Sequence, residues 1–172
     1  MDTAPAAVLG ATFDPQVRRK RDVLVANLGN FHTLAFRLGE SGIEGVFEHH
    51  TGLLNRQKLE ALLLALADGS LTRQFVFEDQ GHGALVFNNT PFPMGTEDFN
   101  LAVTGPRRNI LSTDPSLSTG LRPYFAVPFG DMMIAGCFGL LAAVADQLPD
   151  LSDQISRSLQ GLSYLGSAPW DA

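Results

Sequence analysis

Cysteine is nearly absent: the 172 residues hold one, Cys137. A single thiol excludes an internal disulfide and is too little for a zinc ribbon or an iron–sulfur cluster, which need several thiolates. In the middle of an apolar helix it reads as inert filler. Positive charge is scarce as well, with 12 Lys and Arg against 18 Asp and Glu and a formal net charge of -6. That balance disfavours nucleic acid as the main partner, because sequence-independent affinity for it comes from cations meeting phosphates. The one basic run, Arg18-Arg19-Lys20-Arg21, carries no interleaved aromatics and reads as a solvated linker or helix end. No apolar run reaches the roughly 20 residues that span a bilayer, and no charged start leads into an apolar stretch with a cleavage site. A soluble, cytoplasmic chain with no membrane partner is expected. Also missing are a Gly-x-Ser-x-Gly elbow, a Gly-x-x-x-x-Gly-Lys-Ser/Thr phosphate loop and a His-Glu-x-x-His metal motif.

What is present is a concentration of histidine. All four fall between positions 32 and 82, in Gly29-Asn30-Phe31-His32-Thr33, Glu48-His49-His50-Thr51-Gly52 and Asp79-Gln80-Gly81-His82-Gly83. Each has a hydroxyl, a carboxylate or another histidine nearby, and glycine within three positions. Such surroundings orient an imidazole and let a ligand approach the backbone.

With 45% hydrophobic and 17% charged residues, the chain can bury a core as one domain or as half of a larger protein. Residues 1–21 read as a loose N-terminal extension or linker, 22–160 as the domain and 161–172 as a C-terminal tail. The apolar run at 22–27, the segments 31–38 and 43–50, and the turn composition of Gly39-Glu40-Ser41-Gly42 predict a three-stranded antiparallel meander. Leu59, Leu62, Leu63 and Leu66 lie at helical spacing, with Asn55 as N-cap and Gly69 as the stop. Residues 71–78 suit a short helix or a strand, and 84–87 a short strand. Residues 101–104 and 124–127 read as buried strands. A helix buried all round is expected from Met132, capped by Asp131, to about Gln147, and a weakly amphipathic one at 151–159. Ala135, Gly136, Gly139, Ala142 and Ala143 make a small-residue stripe on the first of these, which suits close packing or a flat ligand.

Two kinds of chemistry fit. In a strand, adjacent His49 and His50 point to opposite faces, so only one can join His32 and His82. The histidines are read first as hydrogen-bonding, anion-binding or proton-transfer groups with no metal, and a metal-dependent hydrolase or lyase is the alternative. Glycine turns offer three phosphate sites: Gly29-Asn30 beside His32 and Thr33; Gly105 with Arg107 and Arg108; and Gly130-Asp131 at a helix start.

The order of these features, a glycine turn in a meander, then a helix, then strand–helix units with glycine junctions, resembles one half of the actin-like ATPase superfamily, which includes sugar kinases and actin. The segments 25–36, 45–54, 76–84, 103–108 and 130–141 are similar to an uncharacterised family labelled as a pyruvate formate-lyase activating enzyme. A radical activase of that name needs three clustered cysteines, and one is present.

The resemblance implies an α/β, RNase H-like mixed sheet, a three-stranded antiparallel meander followed by helix and strand–helix units. It implies a small phosphorylated ligand, ATP or another nucleotide with magnesium, and possible ATPase or phosphotransferase activity. It also implies that the chain is the C-terminal half of a longer protein whose N-terminal half or a partner domain completes the cleft; a homo-oligomer fits too. Asn27, Gly29, Asn30, His32 and Thr33 would contact phosphate. Gly105, Arg107, Gly130 and Asp131 would lie toward sugar or base. His49, His50, Asp79 and His82 would line the catalytic side, with His82 first for proton transfer. The superfamily's phosphate loop opens on aspartate where Asn27 stands, and a neutral amide cannot act as base or hold magnesium's waters as a carboxylate does. A third reading is a non-catalytic interaction domain whose histidines are structural.

Overall fold

The computed structural model describes residues 1–92, 94, 98–112 and 120–163. The described residues form two compact units, one within residues 21–125 and the other of residues 1–20 with those described from 126 to 163. These boundaries differ from the expected 22–160 body. Most of the expected tail, residues 164–172, lies outside the described residues.

In the first unit, strands β1 (Val23–Leu28), β2 (His32–Gly39) and β3 (Gly42–His50) form the expected antiparallel meander. The β2–β3 hairpin closes through Glu40 and Ser41, with Gly42 at φ 91°, a left-handed conformation that favours glycine. After a short 3-10 turn at Thr51–Leu53 comes helix α3 (Arg56–Asp68). Asn55 caps it by accepting from the Lys58 N–H at 2.8 Å, and Gly69 ends it at φ 80°. Leu59, Leu62, Leu63 and Leu66 are each at most 1% exposed and share a core with Leu24, Ala26, Ala35 and Phe47. Burial of each such leucine is worth about 1.5–3 kcal/mol.

Helix α4 (Arg73–Glu78) resolves the ambiguous segment, and Thr72 caps it. Strand β4 (Gly83–Val86) then returns antiparallel to β3, while β5 (Leu101–Thr104) runs parallel to β1 and β6 (Pro123–Phe125) parallel to β5. The sheet is therefore mixed and six-stranded, ordered β4-β3-β2-β1-β5-β6. The α/β class and the meander stand as expected. Buried Arg37 was not anticipated: its guanidinium meets Glu44 at 3.2 Å, the Ala67 carbonyl at 2.9 Å and the Thr90 carbonyl at 2.7 Å.

In the second unit the expected loose start is instead helical, as α1 (Thr3–Ala11) and α2 (Pro15–Arg18), capped by Asp2 and Asp14. Helix α5 (Ala135–Gln147) begins three residues later than expected, and Asp131 accepts from the Met133 N–H rather than capping it. It is not buried all round: Leu140, Leu141 and Cys137 are exposed. Its small residues serve packing. A Cβ on Gly139 would overlap the Ala6 carbonyl, and one on Gly10 the Ala135 carbonyl, so α1 crosses α5 at backbone contact. Helix α6 (Pro149–Ser163) sets Leu159 against Phe129 and Phe138. No helix among the described residues is long and apolar enough to cross a membrane.

Candidate functional site: a three-histidine cluster

The β2–β3 register builds the site. His32 is directly opposite His50, and Thr33 opposite His49. Residues paired across an antiparallel ladder share a face, so His32 and His50 share one and His49 takes the other. His82 joins them because its N–H donates to the Glu48 carbonyl at 2.9 Å, extending the β3–β4 ladder by one bond. Ring centroids stand 5.1 Å apart for His32 and His50, 4.8 Å for His32 and His82, and 4.6 Å for His50 and His82. One nitrogen from each ring lies within 4.8 Å of the others. Ligands on a tetrahedral zinc at 2.0–2.1 Å stand about 3.3 Å apart, so closing on one ion asks each half-exposed or exposed ring for a shift of about 1 Å.

Charge supports the same use. Partial burial, then the neighbouring imidazoles of His82, His32 and His49, push the His50 pKa below its ordinary value, and Glu48 only partly opposes them. A neutral imidazole is the form that binds metal. Glu48 Oε1 stands 3.5 Å from His32 Nδ1, which leaves Nε2 of His32 for a ligand. Three imidazoles match the number of protein ligands in catalytic zinc sites, where closed structural sites use four.

His49 and Asp79 do not join the cluster. His49 is fully buried, with Nε2 3.0 Å from Asp79 Oδ2 and Nδ1 3.2 Å from the His50 carbonyl, so it cannot meet substrate. Asp79 also accepts from Lys58 Nζ at 2.8 Å, and that hydrogen bond, first, holds its carboxyl below the usual range. Of the four residues expected on the catalytic side, the structure thus brings His50 and His82 together with His32 and pairs His49 with Asp79 behind them.

The expected phosphate contacts separate similarly. The Gly29 N–H is taken by the His32 carbonyl at 3.0 Å. Thr33 is buried, its hydroxyl 3.0 Å from that of Thr51, and is out of a ligand's reach. Asn27 is buried beside Gly105, whose backbone packs so closely on the end of β1 that a Cβ would meet the Leu28 carbonyl at 2.5 Å. Arg107 donates its N–H to Leu28 at 2.9 Å and leaves its side chain exposed, as is Asn30. Gly130 and Asp131 belong to the other unit. Lys58 and Arg73 were missed in the sequence. Lys58 sits on the solvated side of a leucine helix, and Arg73 opens a segment whose helical state the pattern leaves open.

Cys137, exposed on α5, is the one thiol of these 172 residues, so they hold no ligand set for an iron–sulfur cluster. No curated protein matches the chain. No solved structure matches it either. A family model described as "Putative pyruvate format-lyase activating enzyme (DUF1786)", a domain of unknown function, matches residues 1–110, more than half of the chain and all four histidines, and the chain belongs to that family.

Proposed function

We propose that His32, His50 and His82 form a mononuclear centre for a divalent transition metal, zinc, iron or manganese, and that it serves hydrolytic or lyase chemistry. The convergence of three imidazoles from two paired strands and the turn before a third carries this reading. A metal held there would supply a Lewis acid and lower the pKa of a bound water. Glu48, on the same face, orients His32 and stands close enough to take a proton. Cobalt(II) titration of metal-stripped protein tests it. One equivalent should bind with visible ligand-field bands, and His82→Ala should lose them; absence of binding by the folded wild type ends the reading.

A second reading keeps the expected nucleotide. An antiparallel meander whose first strand is flanked by parallel β5 favours an RNase H-like, actin-like domain, in which ligands sit beyond the carboxyl ends of the parallel strands. Leu28 and Thr104 end β1 and β5 on the side of the sheet where the histidines lie. Asn30 and Arg107 are exposed polar groups there. Calorimetry with Mg-ATP and Mg-ADP checks it, and Arg107→Gln should weaken any binding.

A further inference from the structure

Beside His82 the sheet face carries a hollow of about 320 Å³, lined by Leu34, Val46, Glu48, Leu85 and Arg73 among others. Its floor follows from register: Leu34 pairs with Glu48, Val46 with Leu85, and Gly83 stands opposite Glu48 where a side chain would fill the space. A Cβ on Gly83 would come within 3.3 Å of Arg73 Cγ, so the bare backbone of this glycine at φ 133° leaves room for the arginine stem beside the hollow. Leu85 is 57% exposed on this face, and Arg73 has no ion pair or hydrogen bond among the described residues. An apolar floor with one unpaired guanidinium is the composition of a ligand pocket, and the volume is at the small end of such pockets.

Resting on the metal reading of the adjoining histidines, we infer that this hollow binds a small monocarboxylic acid. The aliphatic or aromatic body lies on Leu34, Val46 and Leu85, and the carboxylate pairs with Arg73 next to the metal. A carboxylate matches the fork of one guanidinium. A phosphate dianion would need more donors than the one guanidinium of this lining supplies.

Methyl NMR of the leucines and valines, with hexanoate, hexan-1-ol and hexylammonium as probes, tests this on metal-stripped and zinc-loaded protein. Hexanoate should shift the methyls of Leu34, Val46 and Leu85 saturably in both forms and more tightly with zinc. The alcohol and the amine should bind more weakly, and exposed Arg73→Gln should weaken hexanoate about tenfold, the value of one charge-assisted contact. Equal binding of hexanol, or no effect of Arg73→Gln, overturns the inference. The two readings fail separately. If cobalt(II) does not bind but hexanoate still requires Arg73, the metal centre alone falls; if cobalt(II) binds and hexanoate ignores Arg73, the acid site alone falls.

Discussion

His49 Nε2 lies 3.0 Å from Asp79 Oδ2, and this contact ties the buried side of β3 to the turn that delivers His82. The turn has little freedom. Gln80 sits at φ 65°, the Gly81 N–H donates to Val76 at 2.8 Å, and a Cβ on Gly81 would meet His49 Cδ2 at 2.6 Å. His49 therefore helps to position His82.

Replacing it separates position from ligation. His49→Ala should lower stability by about 2–4 kcal/mol through a cavity and unpaired partners. Its cobalt(II) affinity should fall about 10–100-fold, as for lost outer-sphere support. Urea unfolding and cobalt titration measure the two. An unchanged affinity in a folded variant would show that the turn holds His82 without it.

Acidification should act in two windows. His50 has a folded pKa below its ordinary 6.5, so the unfolded chain takes up the proton first. Stability is highest above 6.5 and declines as pH falls from there through the lowered folded value. Asp79, with a folded pKa below 3.8, contributes above that value and loses its contribution as pH falls further. Proton NMR of the imidazoles should find His50 still neutral below pH 6.5; titration at or above its ordinary value contradicts the cluster geometry.

Arg37 offers a test inside the same unit. Its guanidinium is 2% exposed and bound to Glu44 and two carbonyls. Arg37→Ala should cost about 3–5 kcal/mol, because it strands Glu44 in the interior. Arg37→Met with Glu44→Leu should restore much of that in chemical denaturation.

Two glycines of α5 should respond with opposite signs. Gly139→Ala forces a methyl into the Ala6 carbonyl and should destabilise by about 1–3 kcal/mol. Gly136→Ala meets nothing nearer than 3.9 Å and should stabilise by up to about 1 kcal/mol through helix propensity. Thermal unfolding of the pair checks the assigned crossing of α1 and α5.

These features were unequally legible in the sequence. The meander and α3 could be read because their signals are local: two short apolar runs about a glycine turn, and leucines spaced three and four apart. The divergence of His49 and His50 followed from strand geometry alone. The helical N-terminus was hidden because α1 has no amphipathic stripe; its buried residues are Ala6, Val8, Gly10 and Ala11, matched to small residues more than a hundred positions away. That His82 joins His32 and one of the doublet is the expectation from motif composition, but the means, a pairing of β4 with β3 across an intervening pair of helices, is encoded in no local pattern. Arg37 escaped because a charge inside a strand reads as solvent-facing unless its partners are known.

The histidine doublet has a consequence for folding itself. Sliding β3 by one residue against β2 would send His50 into the leucine core and bring His49 out opposite the wrong neighbour, since side chains alternate strictly along a strand. A metal ion would recognise only the correct alignment, and by mass action would draw misaligned chains toward it. If the proposed centre holds metal, bound-metal stoichiometry after refolding would report the molecules whose hairpin is in register once metal is present, a quantity that optical measures of strand content would not distinguish.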